Sequence, residues 1–91
     1  MESQKKSKEQ TLPKWFKGMI YKEGQTVTNP FSGESYELTG VELSLYDFII
    51  GCNMVFESAP STMTSKRVNE FQKALHWFRV NNPEAYYVLL D

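Results

Sequence analysis

Apolar residues recur at helical spacing through residues 39–58, TGVELSLYDFIIGCNMVFES. At about 100° per residue, Val41, Leu45, Phe48, Ile49, Cys52, Val55 and Phe56 fall in one broad stripe. Leu43, Tyr46, Ile50 and Met54 form a second stripe nearly opposite the first, with polar and small residues between them. A surface helix needs one apolar face, so two opposed faces call for cover from two directions. The start of this helix is marked twice. Thr39 and Glu42 have the spacing of a capping box, and Leu38 and Leu43 occupy the hydrophobic staple positions around it. Ser58-Ala59-Pro60 ends it. Gly51 sits in mid-helix at a cost of about 1 kcal/mol relative to Ala, and with Ser44 and Ser58 it lines one small-residue edge. That edge predicts close approach of another backbone.

A second helical period begins at Thr64, with Met63 and Val68 at staple positions. Val68, Phe71, Ala74, Leu75 and Phe78 make its apolar face, while Asn69, Gln72, Lys73, His76 and Arg79 form the solvated side. Helices joined by so short a connection pack antiparallel, which assigns this face to one stripe of the first helix. Trp77 lies off the face, placed to hold Lys73 by a cation–π contact or to receive the C-terminal segment. Asn81-Asn82-Pro83 closes the helix, and Asn82 can cap a short terminal one over PEAYYVLLD, although residues 86–90 also suit a strand.

Upstream, residues 22–38 alternate like a β-hairpin. Thr26, Val27 and Thr28 have strand character, Asn29-Pro30-Phe31-Ser32-Gly33 is a tight turn, and Tyr36 and Leu38 share one side of the return strand. Phe31 at the tip is expected to fold back onto the body, with a partner contact as the alternative. In residues 12–21, LPKWFKGMIY, the positions of Trp15, Phe16, Met19 and Ile20 match a short helical face, with Trp15 and Phe16 packed on the central helix. Residues 1–11 have no apolar period and read as a disordered basic tail, leaving residues 12–91 as a single compact domain. The fold class is therefore mainly α within α+β: an antiparallel helical hairpin with a small N-terminal β-hairpin and short flanking helices.

Composition adds two facts to this picture. Ninety-one residues bury roughly 60 to 65% of their unfolded surface, which suffices for a marginal core. Thirteen of them, six Phe, five Tyr and two Trp, are aromatic, the kind of residue that serves small cores and interfaces alike. Charge is near balance overall at −1, yet it is divided. Residues 1–22 hold six lysines against two acids, a charge of +4, and the remainder holds four cations against nine acids, a charge of −5. The basic end permits a nucleic-acid contact through Lys5, Lys6, Lys8, Lys14 and Lys17, with Trp15 and Phe16 as a stacking platform for bases.

Few residues of the chain are candidates for chemistry. Cys52 stands alone, so neither a disulfide framework nor a cysteine-based zinc site is available, and a reducing cytoplasm is the expected compartment. No apolar run approaches a membrane span. His76 lacks ligand partners at metal spacing, and Cys52, within an apolar stripe near Asp47 and Glu57, is a poor nucleophile. No phosphate loop or nucleophile elbow is present. The residues thus point to no catalysis, no cofactor and no metal. They point instead to protein–protein contact, with self-association as a homodimer through Leu43, Tyr46, Ile50 and Met54, and single-stranded nucleic-acid binding as the alternative.

At VTNPFSGESYELT (residues 27–39), VELSLYDFIIG and the closing NNPEAYYVLLD, the sequence resembles small uncharacterised proteins carried by tailed myoviruses of marine cyanobacteria. The resemblance spans residues 15–91. It implies an intracellular viral protein, in the host cytoplasm, and it assigns no functional residues.

Overall fold

Thr39 holds the position from which the two halves of the chain diverge. In the computed structural model, which describes residues 10–90, its backbone is extended and its Oγ1 accepts the Glu42 N–H at 3.2 Å, while Glu42 Oε1 accepts the Thr39 N–H at 2.9 Å. Both arms of the capping box are therefore made, and helix α1 runs Gly40–Ser58. A 3₁₀ turn, Pro60–Thr62, leads to α2, Ser65–Asn81, whose cap Thr64 accepts the Arg67 N–H at 3.1 Å. Asn82 ends α2 and its Oδ1 accepts the Ala85 N–H, starting α3, Pro83–Ala85, which widens into a π-helical turn, Tyr86–Leu90. The C-terminal segment is thus helical and not a strand.

Before Thr39 the chain forms an antiparallel two-stranded sheet, β1 Gln25–Thr28 and β2 Ser35–Leu38, with Val27 opposite Tyr36 and Gln25 opposite Leu38. The turn between them is built by Asn29. Its Oδ1 accepts the Phe31 N–H at 2.8 Å and the Ser32 N–H at 3.4 Å, and its Nδ2 donates to the Val88 carbonyl at 2.9 Å. Gly33 takes φ of 80°, a conformation glycine adopts without strain. The tip is therefore pinned to the C-terminal helix, yet Phe31 itself is 96% exposed. It does not fold back onto the body, because the turn geometry that satisfies its backbone points it outward.

The core gathers Leu38, Leu43, Leu45, Ile49, Ala74, Phe78, Ala85 and Leu89, with Phe16 added from the N-terminal side. Phe56 in the last turns of α1 meets Phe71 of α2 with ring centroids 5.2 Å apart, and Glu42 in the first turn meets Asn82 just past the end of α2. Residues 12–20 do not form the expected short helix. A single turn, closed by the Phe16 N–H on the Pro13 carbonyl at 3.1 Å, gives way to a strap. Trp15 and Phe16 reach the same ring, Phe48, with centroids 5.9 and 5.7 Å away. Burial of these adjacent aromatics outweighs a nucleus of one helical turn interrupted by Gly18.

Two further expectations change. On α1 the close backbone approach lies at Gly40, where a Cβ would come within 2.6 Å of the Tyr21 carbonyl oxygen. Beside it the Tyr21 N–H donates to Ser44 Oγ at 2.9 Å. At Gly51 a Cβ would meet nothing within 4 Å. The tail boundary also moves inward: Gln10 donates to Glu42 Oε2 and accepts from Thr39 Oγ1, both at 2.9 Å, so it belongs to the folded body. The rest of the tail, residues 1–9, lies outside the described residues.

Candidate interaction surfaces

The second stripe of α1 is divided by the hairpin. Leu43 is buried at 7% exposure, Tyr46 and Ile50 are half-buried, and Met54 is 64% exposed. β1 stands over the upper part of the stripe and leaves a cleft of about 340 Å³ between Thr26, Val27, Tyr21, Leu43 and Tyr46, with Asp47 at its side. Burial raises the Tyr46 hydroxyl above its ordinary pKa. The hairpin thus covers Leu43 and part of Tyr46, while Ile50 and Met54 continue the stripe by two further turns without that cover. β1 pairs with β2 along one edge, and no described strand pairs with the other.

The basic candidates separate differently. Lys5, Lys6 and Lys8 lie outside the described residues. Lys14 and Lys17 are exposed and Trp15 is half-buried, but Phe16 is only 8% exposed, so it is a core ring and not a platform for a base. The strap brings Trp15 to α2, where Pro13, Trp15, Lys73, His76 and Trp77 border a depression of about 300 Å³. Trp77 therefore faces the N-terminal strap. Among the described residues the cation–π contacts are Arg67 over Phe48 at 5.7 Å and Arg79 over Tyr86 at 5.2 Å, and none joins Lys73 to Trp77. The sequence suggests a Lys73–Trp77 pair but no role for Lys66, although the spacing of seven and then four residues places Lys66, Lys73 and Trp77 along one stripe of α2.

A third arrangement is a buried polar joint. Glu42 is 1% exposed and accepts the Thr39 N–H at 2.9 Å, the Gln10 amide at 2.9 Å and the Asn82 amide at 2.8 Å. Asn82 Oδ1 in turn accepts the Ala85 N–H and the Tyr36 hydroxyl, each at 3.2 Å, and that hydroxyl is also 3.0 Å from Glu84 Oε1. Burial, followed by the hydrogen bond to the Glu84 carboxylate, holds Tyr36 above its usual pKa. Charge-assisted hydrogen bonds from N–H groups compensate the buried carboxylate. Local pattern reveals the capping box and the Asn82 cap; their union across 40 residues has no local signal.

The titratable residues weighed for chemistry stay apart. His76 and Asp47 are exposed and border different depressions. Cys52 is 4% exposed; burial pushes its thiol up, Glu70 adds to this and the Arg67 guanidinium partly offsets it. The acid that faces it is Glu70, not Asp47 or Glu57. Among the described residues no group of three or more His, Cys, Asp or Glu side chains could hold a metal ion, and no helix is long and apolar enough to cross a membrane. The chain matches no known protein family, no curated protein and no solved structure.

Proposed function

We propose that the chain is a non-enzymatic protein–protein interaction module that self-associates through the lower end of the second α1 stripe and the open edge of β1. The carrying observation is that β1, whose outer edge no described strand pairs, borders one cleft with Leu43 and Tyr46, and that Ile50 and Met54 continue the same stripe beyond it. An open strand edge presents unpaired N–H and C=O groups, and a two-stranded sheet gains stability from a further strand. The strand is Gln-Thr-Val-Thr, with no charge to repel a second copy and no proline to break the ladder. Two-fold pairing at β1 presents Tyr46, Ile50 and Met54 of each protomer to the other side of the joint. The proposal includes an antiparallel helical hairpin as the scaffold for this face. It sets the protein in the cytoplasm, that of an infected host if the viral resemblance holds.

An interface of one short strand and two helical turns falls at the small end of specific interfaces, so dissociation in the micromolar range is expected. Sedimentation equilibrium from about 1 to about 300 µM tests this. The native chain should move from monomer to dimer, and Met54→Lys should stay monomeric with its thermal midpoint unchanged, since Met54 is 64% exposed. A native chain that remains monomeric throughout refutes the reading.

A further inference from the structure

The seam between the strap and α2 carries a surface of different chemistry, and it stands independently of self-association. Two depressions follow one another along it. One, of about 300 Å³, lies between Trp15 and Trp77 with Lys73 on its rim. The next, of about 340 Å³, lies between Lys17 and Lys66 with Glu70 and Arg67 on its wall. From Lys66 to Trp77 the seam runs about 16 Å along α2 at 1.5 Å per residue.

The charges here are unevenly committed. Arg67 is held by Glu70 at 3.5 Å and by the Phe48 ring, so its guanidinium is occupied. Lys14, Lys17, Lys66 and Lys73 are exposed and enter no ion pair among the described residues. Glu70, already paired with Arg67, lines the depression beside Lys17 and Lys66, and no described acid lines the one between Trp15 and Trp77. The other described acids lie elsewhere: Glu23, Glu34 and Glu37 in and beside the hairpin, Glu42, Asp47 and Glu57 on α1, and Glu84 in α3. The overall charge of −1 thus conceals four lysines of the strap and α2 that enter no ion pair among the described residues.

The aromatic geometry narrows the ligand. Each indole is braced by its neighbouring phenylalanine at a steep angle, Trp15 by Phe16 at 65° and Trp77 by Phe78 at 83°. Trp15 also meets Phe48 at 58°. Such contacts fix a ring without stacking on it, and both indoles are only half-buried. We infer that this seam binds single-stranded nucleic acid, with bases stacked on Trp15 and Trp77 and phosphates held by Lys14, Lys17, Lys66 and Lys73. A duplex keeps its bases stacked on one another and offers no free face to an indole, and an acidic protein would use the lysines while leaving the tryptophans idle. Lysines, being compact point charges, suit phosphate contact without sequence readout.

The chain has two tryptophans and both lie on this seam, so intrinsic fluorescence reports on it directly. Titration of the full chain with oligothymidylate of about 20 nucleotides at low salt should quench that fluorescence. Four phosphate contacts give a slope of log K against log salt of about −2.8, at about −0.7 per contact. Lys73→Gln should flatten the slope by about 0.7 and leave the far-ultraviolet circular dichroism unchanged. Trp77→Phe should keep most of the affinity, while Trp15→Leu should lose about 5- to 150-fold. Deletion of residues 2–8 should leave quenching in place. Absence of quenching by the native chain overturns the inference. So does polyglutamate or a duplex of the same length that binds as well as the single strand, a slope indifferent to Lys73→Gln, or loss of all binding on the deletion.

Discussion

The hairpin face and the strap face of this protein are made from the same kinds of residue and offer opposite chemistry. On the hairpin face an uncharged strand with an open edge borders a cleft with Leu43, Tyr46 and Asp47, and Ile50 and Met54 continue the stripe beyond it. On the strap face Lys73 borders the depression between the two indoles, Lys17 and Lys66 border the next, and Glu70 beside them is already paired with Arg67. The difference teaches that a near-zero net charge says little about what a small domain can hold. Tertiary contact brings Lys17 of the strap and Lys66 of α2 to one depression, while the cleft under β1 is lined by no cation.

Both faces depend on one joint. Gln10 leads into the strap, Tyr36 belongs to the hairpin, Asn82 ends α2, and all three meet at or one bond away from Glu42. Glu42→Ala removes the acceptor for three N–H donors in a site that is 1% exposed, which should cost about 3 to 5 kcal/mol. Against the usual marginal stability this is a large fraction. Urea unfolding should show a strongly lowered midpoint, and both self-association and oligothymidylate binding should fail together. Loss of one with the other intact would show that the faces do not share the joint. Met54→Lys and Lys73→Gln each act on a single face, so the contrast with Glu42→Ala is internal to one set of measurements.

What could be read from the sequence follows the range of each interaction. The start of α1 was legible because the capping box and the staple are complete within six residues. The caps at Thr64 and Asn82 were legible for the same reason. In the strap the packing of Trp15 and Phe16 on α1 is legible, but their helix-compatible spacing misleads about the backbone, because the decisive contact is Phe48, more than thirty residues away. Phe31 was drawn inward by its hydrophobicity, although Asn29 controls the turn and turns it outward. Leu43, Tyr46, Ile50 and Met54 were legible as a stripe, but the hairpin's cover of its upper end belongs to tertiary packing. The seam was half legible: Lys14, Trp15 and Lys17 are neighbours in sequence, and Lys66, Lys73 and Trp77 gain meaning only once the strap lies along α2.

Gly51 marks where the hairpin face stops. It lies between Asp47 and Val55 on the helix surface, and an added Cβ meets nothing within 4 Å. Gly51→Ala should therefore stabilise α1 by about 1 kcal/mol, because alanine loses less conformational freedom in a helix. A domain of this size should show a thermal midpoint raised by about 4 to 8 °C. Dimerisation should be unchanged if the self-association face is confined to Tyr46, Ile50, Met54 and β1. A dimer weakened by this methyl group would extend the face across Gly51 toward Met19.

An effect of similar size concerns the tie between the hairpin and the C-terminal helix. Tyr36 shares its hydroxyl proton between Glu84 and Asn82, and its folded pKa is raised above the ordinary 10.0. The neutral phenol is the form that the fold favours. Its contribution is complete below pH 10, and stability is lost as pH rises through the folded value, because the unfolded chain gives up this proton first. Tyr46, raised by burial, adds to the same alkaline decline. Tyr36→Phe should cost about 0.5 to 1.5 kcal/mol at neutral pH through the lost hydrogen bonds. Its urea midpoint should then fall less than that of the native chain between about pH 9 and about pH 11. Identical declines in the two chains would remove Tyr36 as the alkaline-sensitive link and leave the hairpin held at this end by Asn29 on the Val88 carbonyl.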